Sequence, residues 1–414
     1  MQLEIAYGKA TIPVELEDRR VRGVLRPNAV HTERTGLDAV EWSLDHPIES
    51  PRLEEICRPG ERVVIVTSDI TRPVPSALLL PPVLERLGRA GVRDDDITVV
   101  FALGSHRKHS REEMEKLVGS SIYSRIHCVD SDTSSCVHIG TSIRGTEYAV
   151  FKDVADADRL ICLGNIEYHY FAGYSGGAKA VMPGVSDLSC IRNNHSGMVR
   201  AEACAGRIEG NPVREDIDEV AQFRKIDFIL NVVLDEHKQI LYAASGHWKH
   251  AHRDGCGFLD RLYKVRIREK ADIVLVSPGG YPKDINLYQA QKALDNAKHA
   301  VRDGGIIIWA GSCREGFENR LFEKWMLEFE PEFMIQEIQR DFQLGAHKAA
   351  AIALVLQKAR IFLVSDLDPD LVRRMHLEPK GSITEALQDA TALMGADSGV
   401  LFMPYGGSTL PVVE

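Results

Sequence analysis

The chain has 414 residues, of which 44% are hydrophobic and 27% charged, and its formal net charge is −10. That length exceeds what one hydrophobic core commonly serves, so two domains are expected. The acidic balance argues against a nucleic-acid backbone or an anionic membrane as partner, and an anionic small substrate would need a local basic pocket. No apolar run approaches the ~18 residues of a membrane helix. The N-terminal stretch MQLEIAYGKATIPVEL alternates like a strand and lacks the layout of a secretory signal. Eight cysteines (Cys57, Cys128, Cys136, Cys162, Cys190, Cys204, Cys256 and Cys313) fall singly, with no CxxC pair, which suits buried thiols in a reducing cytoplasm.

Along the chain, apolar strand-like runs alternate with amphipathic helical stretches, the pattern of α/β architecture. RVVIVTSD (62–69) reads as a buried parallel strand with polar residues at its carboxyl end, and DITVVFALGSH (96–106) repeats that layout. SREEMEKLVG (110–119) reads as a short helix, with Ser110 and Glu113 as a capping box and Gly119 as its stop. RLICLGN (159–165) is a third strand, running into HYFAGYSGGAKAVMPG (169–184). FILNVVLDEHKQILYAA (228–244) predicts a hairpin turning at Asp235–Lys238, and 247–267 predicts a helix. A second series begins at ADIVLVSPGG (271–280). It continues with helices near 286–302, 317–327 and 346–358, strands at 305–311 and 360–365, a capped helix at 382–395 and a strand at 399–404. The expected fold is therefore α/β, with an N-terminal domain of 1–270, a C-terminal domain of 271–414, mostly parallel sheets and an active-site cleft between them.

Open α/β sheets collect ligands beyond the carboxyl ends of their strands, and four polar clusters fall at such ends. In Ser68-Asp69-Ile70-Thr71-Arg72-Pro73, Asp69 and Arg72 admit a structural salt bridge, or Arg72 offers a planar, permanently charged fork for a carboxylate or phosphate. In Gly104-Ser105-His106-Arg107, His106 follows two small residues that would not obstruct a ligand. In the 169–184 stretch, His169 and Lys179 flank Gly173, Gly176 and Gly177, whose amides could approach an anion. Lys179 could then be an electrostatic clamp or a nucleophile that forms a covalent cofactor adduct. The spacing is not that of a Walker A loop. The fourth cluster, Ser277-Pro278-Gly279-Gly280, leads to Tyr288-Gln289-Ala290-Gln291-Lys292, where Gln289 and Lys292 share a helix face and suit a substrate carboxylate. His195 could close a helix or be the sole protein ligand of a metal supplied mainly by a cofactor. His247, His250 and His252 invite a metal-site reading, but the pattern fits an exposed amphipathic helix better.

Taken together, Ser68–Pro73, Gly104–Arg107, His169–Gly184, Asn194-His195 and Tyr288–Lys292 resemble, in order and over essentially the whole chain, the nickel-pincer lactate racemase family. The resemblance implies an isomerase, a racemase or epimerase of a lactate-like 2-hydroxycarboxylate. It implies Lys179 as covalent tether of a nickel-pincer nucleotide, the Ni(II) complex of pyridinium-3,5-bisthiocarboxylic acid mononucleotide, and His195 as the remaining in-plane nickel ligand. His106 and His169 would be paired acid/base residues. Asp69, Thr71 and Arg72 would line the cofactor and substrate pocket, and Tyr288, Gln289 and Lys292 would bind substrate. Cofactor-maturation proteins would be partners, and the expected location is the cytoplasm. Tyr168 and the 403–408 loop are places where substrate choice would differ.

Chemistry favours such a cofactor. The α-hydrogen of a 2-hydroxycarboxylate is poorly acidic beside an existing negative charge, whereas its removal as hydride avoids a dianion and needs an electrophilic acceptor with a base for the hydroxyl. Two other classes use the same residues. A Schiff-base lyase or aldolase acting on keto acids would use Lys179 without nickel, and a non-catalytic binder would sequester the cofactor or an anionic metabolite.

Overall fold

The computed structural model describes residues 1–414, and the chain forms two compact units, Val30–Asp260 and Met1–Ala29 with Arg261–Glu414. The Val30–Asp260 unit is built on a six-stranded sheet in the order Ile240–Gly246, Phe228–Leu234, Arg159–Asn165, Val63–Ser68, Ile97–Ala102, His127–Asp130. Neighbours are parallel except at the Ile240–Gly246 edge, which returns from Phe228–Leu234 as the expected hairpin. Val63, Ile65, Val66, Val99, Val100, Ile161 and Leu230 are buried, which is why these strands read as continuous apolar runs rather than alternating ones.

Strand order runs outward from Val63–Ser68 through Ile97–Ala102 to His127–Asp130. It then jumps back to set Arg159–Asn165 on the other side of Val63–Ser68. This reversal makes the carboxyl ends of Val63–Ser68 and Arg159–Asn165 a topological switch point, where an open sheet leaves room for a ligand. The Asp69 cluster and the 169–184 stretch leave the sheet there. The Arg111–Val118 helix forms between as predicted, with Ser110 Oγ accepting from Glu113 N and Glu113 Oε2 from Ser110 N.

The other unit carries a second six-stranded sheet, entirely parallel, in the order Glu378–Lys380, Arg360–Val364, Val301–Ala310, Ala271–Val276, Val400–Met403, Val21–Val24. Its last strand comes from the first 29 residues of the chain, so these belong with the C-terminal residues and not to an N-terminal domain of 1–270. The physical reason is twofold. Val21–Val24 completes the edge of Val400–Met403, and the Gln2–Tyr7/Ala10–Glu15 hairpin sends Ile5 and Val14 into one apolar core with Ile273, Leu275 and Ile306. The helix expected over 247–267 ends at Tyr263, and Lys264–Ile267 becomes a strand parallel to Leu410–Val413. No helix is long and apolar enough to cross a membrane.

Ile5 is fully buried in this shared core, so Ile5→Ala should destabilise the unit by about 2–5 kcal/mol. Urea denaturation monitors the effect, and an unchanged midpoint would mean that the hairpin merely lies on the surface.

Candidate active site

Asp69 leaves the end of Val63–Ser68 almost fully buried. Its Oδ2 accepts from His106 Nδ1 at 2.6 Å and its Oδ1 from the Thr71 hydroxyl at 2.8 Å. Burial would raise its carboxyl pKa, but the hydrogen bond and charge of His106, followed by Thr71 and Arg72, outweigh that and hold it below the ordinary value. With Nδ1–H given to Asp69, a neutral His106 carries its lone pair on Nε2, as a general base requires. Asp69 thus pairs with His106 and not with Arg72, whose guanidinium is exposed and whose backbone N–H closes the turn onto Asp69 O at 3.1 Å. Gly104 N donates to Gly184 O at 2.9 Å, tying the His106 loop to the end of the 169–184 stretch.

That stretch folds as a small hairpin, Tyr168–His169 against Gly173–Tyr174, followed by a 3-10 turn at Gly177–Ala180. Tyr168 and Tyr174 both donate to Asp260 Oδ1, at 2.9 and 2.8 Å. The expectation that the glycine amides are offered to an anion needs correction at Gly177, whose N–H is taken by Asn231 Oδ1 at 2.8 Å. Here glycine serves close approach. At φ +60 a Cβ on Gly177 would lie 2.8 Å from the His252 ring and 3.1 Å from Arg214 Nη2.

His252 is therefore not the exposed residue that its neighbours suggested. It is fully buried, donates from Nε2 to Ser175 O at 2.8 Å, and is kept uncharged by burial and then by Arg214 and Arg253. Arg214, also fully buried, donates to Tyr174 O at 3.2 Å and pairs with Asp218 at 3.2 Å. The rings of His247 and His250 lie 4.9 Å apart, and no group of three or more His, Cys, Asp or Glu is arranged to hold a metal ion. On this rigid base sits Lys179. Burial first, then the positive charges of Arg72 and Arg214, push its amine well below the ordinary lysine value, with Glu167 opposing only in part.

Phe171, buried, separates two histidines: its ring centroid is 4.5 Å from that of His169 and 4.9 Å from that of His195, both edge-on. His169 Nδ1 accepts from Ala172 N at 3.3 Å. His195 lies in the last turn of the Leu188–Ser196 helix, which Asp187 caps through Cys190 N at 2.7 Å. Asn194 fixes its tautomer. Because Asn194 Nδ2 donates to Asp216 Oδ2 at 2.7 Å and Val213 O at 3.0 Å, its Oδ1 must be the acceptor for His195 Nδ1, at 2.9 Å. His195 Nε2 then holds the lone pair that a metal would use.

In the other unit, Asn286 caps the Leu287–Ala297 helix by accepting from Gln289 N at 2.8 Å. Gln289 and Lys292 share a face as expected, and Lys292 is exposed. Gln289 Nε2 already donates to Glu318 Oε2 at 3.0 Å, and Glu318 sits at φ +64, a conformation that L side chains adopt at some cost. The Tyr288 ring packs edge-on against Phe322, and the Lys348 ammonium lies 3.8 Å from its centroid. Direct hydrogen bonds thus gather Asp69, Thr71 and His106, charge couples Arg72 to Lys179, and Phe171 joins His169 to His195. Sequence reasoning passed over Arg214, whose only mark is its spacing within a helix. It also passed over His109, three residues after His106, and Asp130, at the end of the next strand, although both were visible.

An amine whose pKa falls on folding carries a penalty below its unfolded value, growing as pH drops from 10.5. Lys179→Met should therefore raise the Tm of the cofactor-free protein at neutral pH, and the gain should shrink as pH approaches 10.5. A pH-independent difference in scanning calorimetry would contradict a depressed amine.

Comparison with known proteins agrees over the full length. Residues 7–206 match the lactate racemase N-terminal domain and residues 267–410 the lactate racemase C-terminal domain. The chain is 33% identical to a lactate racemase of Thermoanaerobacterium thermosaccharolyticum, over 99% of this chain and 98% of that protein. It is 36% identical to one of Lactiplantibacillus plantarum, over 98% of each. The solved lactate racemase apoprotein from T. thermosaccharolyticum superposes with a TM-score of 0.89 at 32% identity, covering 100% of both chains. A crystal structure of a Thermotoga maritima protein, at 18% identity and a TM-score of 0.63 over 91% of this chain and 98% of that one, shares the fold. The chain belongs to the lactate racemase family, as its five motifs indicated.

Proposed function

We propose that this protein is a racemase or epimerase of a 2-hydroxycarboxylate that works with a nickel-pincer nucleotide joined to Lys179. The observation that carries this reading is Lys179, whose amine is pushed well below the ordinary lysine pKa by burial and by Arg72 and Arg214, at the switch point of the Val30–Asp260 sheet. Two residues fit such a group. Lys179 offers an amine whose lowered pKa eases the proton loss that amide-type bond formation needs, and His195 keeps its Nε2 lone pair because Asn194 takes Nδ1–H. A Schiff-base enzyme would also use a neutral lysine, but it gives His195 no task.

Once bound, the cofactor would supply an electrophilic acceptor that takes the substrate's α-hydrogen with its electron pair and gives it back. The protein's own residues manage the protons. His106 Nε2 accepts the hydroxyl proton as the carbonyl forms, and Asp69 stabilises the imidazolium. Arg72, with its permanent charge, is suited to the carboxylate. The 2-keto acid is planar, so return of hydrogen to its other face inverts the centre. His169 then supplies the proton to the oxygen. Its Nδ1 is the acceptor for Ala172 N–H, so the neutral ring carries its proton on Nε2. To give that proton His169 must act as the imidazolium, since a neutral ring would have to become imidazolate, while His106 starts as the neutral base.

Substrate deuterated at the α-carbon should keep its label while cofactor-loaded enzyme racemises it in water; wash-out of the label into solvent would overturn the hydride reading. His106→Ala or His169→Ala should lower kcat by roughly 100- to 10,000-fold, with nickel content unchanged. The role of Gln289 and Lys292 as carboxylate ligands is tested at Glu318. Glu318→Gln removes a competing negative charge from Gln289, so KM for the hydroxyacid should fall several-fold at unchanged kcat, and a raised KM would refute the role.

A further inference from the structure

His109 lies in the same loop as His106 but is buried, with 1% side-chain exposure, and its partner Asp130 has 6%. Asp130 grips it twice, accepting from His109 Nδ1 at 2.6 Å and from the His109 backbone N–H at 2.8 Å. Phe101 packs edge-on against the ring at 5.3 Å. Because Asp130 takes Nδ1–H, Nε2 is an acceptor, and it receives the Ile70 backbone N–H at 3.0 Å. Ile70 stands between Asp69 and Thr71, the two residues that hold each other and His106.

The turn after Val63–Ser68 has left the ladder, so the Ile70 amide needs an acceptor from elsewhere, and a buried N–H without one is costly. His109 supplies it. Two carboxylate–imidazole pairs with the same 2.6 Å separation therefore stand in series, Asp130–His109 and Asp69–His106, joined through one peptide. We propose that His109 is a positioning residue: locked by Asp130, it fixes the Ile70 peptide and so aims the Asp69 carboxylate at His106 Nδ1. Leucine at 109 would fill the space but leave Ile70 N–H unpaired. Glutamine, with an oxygen and an NH2 at similar spacing, can bridge Asp130 and Ile70 again.

The proposal stands on the geometry of the pair, and only its kinetic arm rests on the racemase reading. In cofactor-free, isotope-labelled protein, the His106 Nδ1 proton should give a downfield, exchange-protected NMR signal that disappears in His106→Gln. His109→Leu should broaden or shift that signal, and His109→Gln should restore it. In loaded enzyme, His109→Leu should lower kcat roughly tenfold or more while KM stays within about twofold, since misplacement of a reacting group costs rate more than binding. His109→Gln should recover most of the loss. A folded His109→Leu protein with the His106 signal unmoved overturns the proposal. If that variant does not fold, the wild type decides. A scalar coupling across the hydrogen bond from Ile70 N to His109 Nε2 is expected, and a protonated Nε2 or no coupling overturns the proposal. Normal NMR behaviour with no racemase activity in any loaded protein would sink the function and leave the positioning intact.

Discussion

An ammonium ion is disfavoured near two guanidinium groups, and Lys179 feels the charges of the exposed Arg72 and the buried Arg214. Arginine does not give up its proton, so the repulsion shows as a lowered lysine pKa. Much of the surrounding structure enforces that outcome. Arg214 is immobilised by Tyr174 O and Asp218, and His252 stays neutral behind it, pinned to Ser175 O. Gly177 has no side chain to push these groups away from the turn. The result is a lysine that gives up its proton more readily than an ordinary one, with Glu167 opposing only in part.

Hydrogen bonds set the histidines in an equally specific way. Each imidazole has one nitrogen committed to a protein group: Asp69 for His106, Ala172 N–H for His169, Asn194 for His195. The identity of that partner decides which nitrogen carries the proton on the opposite side. A carboxylate or amide oxygen leaves a lone pair at Nε2, while a backbone N–H leaves a proton there. Three rings of one chemical type thereby differ in which nitrogen carries the proton, before any ligand is considered.

Much of this was legible in the chain. The parallel strands announced themselves as Val/Ile runs ending in polar residues, and the capped helix after Ser110 formed where its box placed it. Site residues stood out because strand ends in α/β sheets are where polar clusters have little structural excuse. What stayed hidden was long-range. The helix Ser76–Arg89 carries Pro81 and Pro82, which disguise its period. His252 belongs to a polar-looking helix whose inner face can be known only from what packs on it. Arg214 and His109 act through partners 38 to 40 and 39 residues away respectively, beyond the reach of local spacing. The 1–29 segment looked like the start of the nearest domain because sequence proximity is the only guide until Val400–Met403 is seen to need an edge.

That last feature bears on how the molecule is made. Since Val21–Val24 lies beside Val400–Met403, the earliest-made strand of that six-stranded sheet waits through nearly the whole of translation for its neighbour. Meanwhile residues 30–260 leave the ribosome as a complete set, already holding every strand of their own sheet. The middle of the chain can therefore settle first, and the two ends close around their core only when synthesis is nearly finished.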